Sequence, residues 1–133
     1  MKTINIGVIG CGFMGKTHTF GYKTIPLYYD NIPFKINLKT ICASHIDNAE
    51  NACEMYGYEN YTDNFMDIIN DDEIDVVDIC TPNAFHKEAV LEAMKKKKHI
   101  YCDKPLAINY NDAKEIADNE KKLRDLEAER SAI

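Results

Sequence analysis

No apolar run in this sequence approaches the roughly 18 residues that a bilayer-spanning helix needs. Positive charge is not in excess either, because the formal net charge at pH 7 is -6. The first lack argues against a membrane partner. The second argues against nucleic acid, since no field favours a polyanion. A secretory leader is not expected, as Met1-Lys2-Thr3 runs straight into a strand-like segment. The five cysteines, Cys11, Cys42, Cys53, Cys80 and Cys102, form no CxxC pair and no ligand cluster along the chain, so no metal site is expected. Four of them lie in or beside apolar strand-like runs, which suits small buried hydrophobes in a reducing cytoplasm. Internal repeats and low-complexity linkers are also missing. The 133 residues suffice for one domain with its own core.

What is present is an alternation of short apolar runs and amphipathic stretches. Buried strands are predicted at residues 4–9 (INIGVI), 38–43 (LKTICA), 74–80 (IDVVDIC) and 99–102 (HIYC), with a shorter one near 59–61. A helix is predicted over about 14–24, and PLYYDNIPF after it reads as a loop or broken helix because of Pro26 and Pro33. Residues 47–56 set Ala49, Ala52, Cys53 and Tyr56 on one helical face, with Gly57 as the stop. Thr62 is the expected N-cap of a helix over 63–69, with Phe65, Met66 and Ile69 inward. Residues 83–95 form a further amphipathic helix, and Asn109 or Asn111 caps a last one that carries Ala113, Ile116, Ala117 and Leu123. Strands alternating with helices predict a Rossmann-type doubly wound parallel sheet, α/β in class and αβα in layering, as a single domain. It spans residues 1–118, and a charged helical tail with no core of its own occupies 119–133. The lysine run at 95–98 reads as a solvated helix end, where cations suit the C-terminal dipole.

GCGFMG, from Gly10 to Gly15, has the form G-x-G-x-x-G and stands between a predicted strand and a predicted helix, the context that gives this pattern meaning. Gly10 permits the tight turn. Gly12 lets the backbone approach a pyrophosphate, and Gly15 lets helix and strand pack closely. The free N–H groups of the helix start then serve the phosphates. An acid at the end of the second strand would bind ribose hydroxyls and favour NAD, while an arginine would favour a 2′-phosphate. Here the stretch is ASHIDN, with Ser44 able to bond either group, His45 a weaker phosphate partner, and Asp47 late enough to serve its helix's N-terminus instead. NAD and NADP both stay open, with the absence of arginine tilting the balance to NAD.

Three stretches, GVIGCGFMGKTH, IDVVDICTPNAFHKEAVLEAM and KKHIYCDKPLAINYNDAKEIA, together resemble the Gfo/Idh/MocA oxidoreductases, relatives of glucose–fructose oxidoreductase and inositol dehydrogenase. The likeness runs to about residue 118. It implies a pyrophosphate cradle of Gly10, Gly12 and Gly15 with help from Phe13 and Met14. It implies that Thr81, Pro82 and Asn83 line the cofactor cleft, and that His86, one helical turn later, contacts cofactor or substrate or else packs. Asp103, Lys104 and Pro105 match the family's E-K-P, whose lysine lies beside nicotinamide and substrate. Lys104 would then assist proton transfer from a substrate hydroxyl, its pKa lowered by burial and by the oxidised ring. The proline would hold the turn, through a cis bond if one is present.

The chain departs from the family in places. Asp103 replaces a glutamate. Lys97 stands where a glycine usually closes a helix in left-handed geometry, at about 1 kcal/mol of strain. The family's second, substrate-binding domain is expected to be missing, as in a truncated cofactor domain. The resemblance implies NAD(P)-dependent oxidation of a secondary alcohol on a sugar, inositol or similar polyol. The chain alone would bind the dinucleotide without turnover, and substrate would enter only with the missing domain. Apolar surface left uncovered leaves a homo-oligomer open. The alternative is a non-catalytic nucleotide-binding or interaction module whose acidic tail meets a partner. CDKPLA argues against a methyltransferase use of the fold.

Overall fold

A computed structural model describes residues 1–132 of the chain. Ile133, the last residue of the expected tail, lies outside them. In order the elements are β1 (Lys2–Ile9), α1 (Phe13–Tyr28), β2 (Phe34–Cys42), α2 (Ile46–Tyr56), β3 (Asn60–Thr62), α3 (Phe65–Ile69), β4 (Val76–Ile79), α4 (His86–Lys95), β5 (His99–Cys102) and α5 (Tyr110–Ala132). All strand pairs are parallel, in the order β3-β2-β1-β4-β5. The winding direction reverses between β1 and β4, so a crevice opens beyond their carboxyl ends.

The period-two alternation of β1 feeds two cores. Ile6 and Val8 pack with Leu38, Ile41, Ala52 and Tyr58 on the face of α1 and α2. Ile9 packs with Ile68, Ile79, Val90 and Ile116 on the other face. The result is the expected αβα layering. Gly7 lies so near α3 that a Cβ there would stand 2.5 Å from Ile68 Cγ2.

Several boundaries differ from the sequence reading, while the cap of α5 falls on one of the two residues expected. α1 continues past Thr24 to Tyr28 with Pro26 inside it, where the ring removes the N–H that would otherwise bond the Tyr22 carbonyl. β2 starts at Phe34 because Phe34 to Asn37 pair with Lys2 to Asn5 of β1. Thr62 ends β3 instead of capping a helix; Asn64 caps α3, accepting from the Met66 N–H at 3.0 Å. The predicted helix over 83–95 opens as a 3-10 turn, Asn83–Phe85, before α4. Asn109 caps α5 through the Asp112 N–H at 2.8 Å. Ile116 is buried on α5, but Ala117 faces solvent.

α5 runs unbroken through residue 118. Its outer turns are laced by Lys114–Asp118, Lys121–Asp125 and Arg124–Glu120 pairs at i,i+4 spacing. Among the described residues no helix is long and apolar enough to cross a membrane.

Lys97 adopts the left-handed conformation expected of it, at φ 56°. Its N–H and that of Lys98 return to the carbonyls of Met94 and Ala93, closing α4. A side chain there carries a steric cost that glycine escapes. Lys97→Gly is therefore expected to stabilise the domain by about 0.5–1 kcal/mol. A higher urea midpoint at unchanged slope would show it, and an unchanged or lower midpoint would refute it.

Candidate functional site

The crevice is built from three loops at the carboxyl ends of β1, β4 and β5. In the first, Gly10 has φ +106°, and a Cβ there would meet the Cys80 carbonyl at 2.8 Å. Its N–H donates to the Cys42 carbonyl at 2.7 Å, tying the turn to the end of β2. A Cβ on Gly15 would collide with the Gly10 carbonyl oxygen, so helix and turn are in backbone contact. Gly12 is different: nothing lies within 4 Å of where its Cβ would be. It leaves α1 open to the crevice, with no side-chain cap and no acid in the first turn. The N–H groups of Phe13, Met14 and Gly15 therefore have no intrahelical acceptor and meet anions favourably. Phe13 is exposed and Met14 half-buried.

Beside this turn, beyond β2, Ser44 and His45 are exposed, and His45 is the N-cap residue of α2. Asp47 sits in the first turn of α2, where it serves the helix dipole. After β4, Pro82 and Asn83 are exposed. Thr81 Oγ1 is buried without a hydrogen-bond partner, alone among side-chain polar atoms of the described residues. An open glycine approach, unpartnered helix N–H groups and an orphaned hydroxyl on the neighbouring loop fit a phosphate-bearing dinucleotide.

After β5, the Asp103 N–H donates to the Ile79 carbonyl at 3.0 Å, and Asp103 Oδ1 accepts the Lys104 N–H at 2.9 Å. The Lys104–Pro105 peptide is cis. Lys104 is exposed. One expectation needs correction here. His86 has 0% exposure, and both its nitrogens are taken by backbone carbonyls, so it does not reach the crevice.

The sequence reading missed a polar cluster beneath the site. Asp78, fully buried in β4, accepts from His18 Nδ1 at 2.8 Å, from the Tyr22 hydroxyl at 2.6 Å and from the Cys80 thiol at 3.2 Å. The His18 ring stacks on Tyr101 of β5, centroids 4.5 Å apart. The cluster ties α1 to β4 and β5. A carboxylate inside an apolar strand demands donors, so the Asp of VVDIC was the signal that could have led to it. Ligand atoms of His18, Asp78 and Cys80 lie within 4.8 Å of one another, although His18 is far from the other two in sequence. They hydrogen-bond to each other as a closed group.

Burial, reinforced by the Asp78 carboxylate, pushes the Tyr22 hydroxyl and Cys80 thiol well above their usual values. Burial also pushes the Cys102 thiol from 9.0 up to about 11, helped by Asp103 and Asp78. Above pH 9 the unfolded chain therefore holds fewer protons than the folded one. The contribution of Cys102 is complete below 9.0 and lost as pH rises through about 11. The urea midpoint is expected to fall across that interval; a midpoint that is flat or rising there would contradict these assignments.

A family model described as "Oxidoreductase family, NAD-binding Rossmann fold" matches residues 4–126, past the point where the motif resemblance ends. Levoglucosan dehydrogenase of Pseudarthrobacter phenanthrenivorans is 39% identical over 118 residues, covering 89% of this chain and 30% of that protein. Inositol 2-dehydrogenase/D-chiro-inositol 3-dehydrogenase of Lactiplantibacillus plantarum is 31% identical over 121 residues, covering 89% of this chain and 32% of that protein. A solved levoglucosan dehydrogenase in complex with NADH superposes with TM-score 0.88 at 38% identity, over 90% of this chain and 32% of that one. The chain thus spans about a third of the length of these relatives. On this match and the geometry of its glycine turn, the chain belongs to the Gfo/Idh/MocA oxidoreductases, as an NAD-binding Rossmann domain of that family.

Proposed function

We propose that this chain is the cofactor-binding part of an NAD-dependent dehydrogenase that oxidises a secondary alcohol of a sugar, inositol or similar polyol. The observation that carries the reading is the open approach at Gly12, set against unpartnered N–H groups at the start of α1. The solved relatives bound to NADH and to levoglucosan or L-sorbose support both the cofactor and the substrate class.

When bound, the nicotinamide would accept the hydride. The chain's own residues do the rest. Gly10, Gly12 and Gly15, with the N–H groups of Phe13 and Met14, would hold the pyrophosphate. Ser44 and His45 would meet the adenosine ribose; they present no fixed positive charge to a 2′-phosphate, which favours NAD over NADP. Thr81, Pro82 and Asn83 would form one wall of the nicotinamide end, and Asp103, Lys104 and Pro105 the other. Asp103 fixes the Lys104 backbone through the bond to its N–H. The Lys104 ammonium, exposed and without an ion-pair partner among the described residues, is free to reach a substrate hydroxyl. It would hold that hydroxyl and take part in its proton transfer. Substrate contacts would come from protein beyond these residues, so the chain by itself binds cofactor without turnover.

Titration with NADH and with NADPH, followed by nicotinamide fluorescence, tests this. Saturable binding of NADH is expected, weakened about tenfold or more by Gly12→Val and kept in Lys104→Ala. Binding of neither dinucleotide would refute the reading. Sugar-dependent reduction of NAD by the purified chain would refute the claim that it lacks turnover.

A further inference from the structure

The fully buried His86 sits between two loops. Its Nδ1 lies 2.8 Å from the Pro105 carbonyl oxygen, and its Nε2 lies 2.8 Å from the Thr81 carbonyl oxygen. Carbonyl oxygens only accept. A neutral imidazole has one N–H and one bare lone pair. Either neutral tautomer would therefore press a lone pair against one of these oxygens at hydrogen-bond distance. Flipping the ring does not help, because both positions face an acceptor. No other donor reaches either carbonyl among the described residues.

We infer that His86 is an imidazolium in the folded domain, with one N–H clamping the loop after β4 and the other the loop after β5. Burying a cation is costly. Two short bonds to carbonyl oxygens, each charge-assisted, offset that cost. The geometry also explains why this side chain lies on the first turn of α4. From there its two nitrogens span the gap between the ends of β4 and β5, where no backbone ladder runs.

The clamp makes His86 a positioning residue. It touches neither crevice nor solvent, but it fixes the carbonyl just before Pro82 and the one just after Lys104. The protonation state stands on hydrogen-bond geometry alone. Its consequence for Lys104 rests on the cofactor reading proposed above. The test uses no cofactor, so failure of one is distinguishable from failure of the other.

The experiment is a proton–nitrogen correlation spectrum of the histidine rings in the wild-type chain at pH 7, with His86 assigned by comparison with His86→Asn. Two protonated nitrogens of similar shift are the expected result. A widely split pair, one protonated and one bare, would overturn the inference. His86→Asn keeps one donor and loses the bridge. Its amide exchange at Asp103, Lys104 and Asn83 is expected to quicken about tenfold, with α1 and α2 unchanged. Unchanged exchange in those loops would overturn the positioning role. If His86→Asn does not fold, assignment passes to the ring's contacts with Thr81 and Pro105 in the wild-type spectrum, which then decides alone.

Discussion

Backbone-to-backbone contact at the glycine turn is the constraint on which the rest of the site depends. Gly10 passes over the Cys80 carbonyl, and Gly15 rests on the Gly10 carbonyl, with no room for a Cβ at either place. This contact brings the first turn of α1 to the crevice between β1 and β4. It also sets the inner face of α1. Once Gly15 is docked, His18 and Tyr22 stand over Asp78, and Thr19 meets the Tyr58 hydroxyl at 2.6 Å. A larger residue at Gly15 would thus displace an anion site and a buried polar cluster together.

The other two loops are held by different means. β4 and β5 are short, four residues each, and their ladder stops where the loops begin. Beyond that point the loops are joined by the Asp103 N–H on the Ile79 carbonyl and by His86. Buried polar groups supply the order that apolar packing cannot give at a polar crevice. The same economy appears in Asp78, which takes donors from α1 and from its own strand. Rigid loops on a fixed sheet would leave little for a bound dinucleotide to rearrange.

Much of this was legible in the sequence. Apolar runs and glycine punctuation located all five strands, and their alternation with helices pointed to a parallel sheet; the strand order came only with the structure. The glycine motif carries its own geometry, so its three roles could be assigned before any coordinates. Local signals failed where a distant strand decided, as at the start of β2, and at the start of α3, where Asn64 and not the expected Thr62 supplies the cap. The cluster around Asp78 stayed hidden because its members lie far apart in sequence and meet only through folding. His86 was misplaced for a simpler reason. A helix start next to a cleft does not reveal which way one side chain turns, and this one turns inward to two carbonyls.

The central claim is that the three loops at the carboxyl ends of β1, β4 and β5 form one dinucleotide site. Amide shift mapping during an NADH titration tests it most directly. The account predicts that the largest changes fall on Gly12 to Met14, on Ser44 and His45, on Thr81 and Asn83, and on Asp103 and Lys104. Changes centred instead on the groove between α4 and α5, around Leu91 and Leu123, or on no contiguous surface, would contradict it.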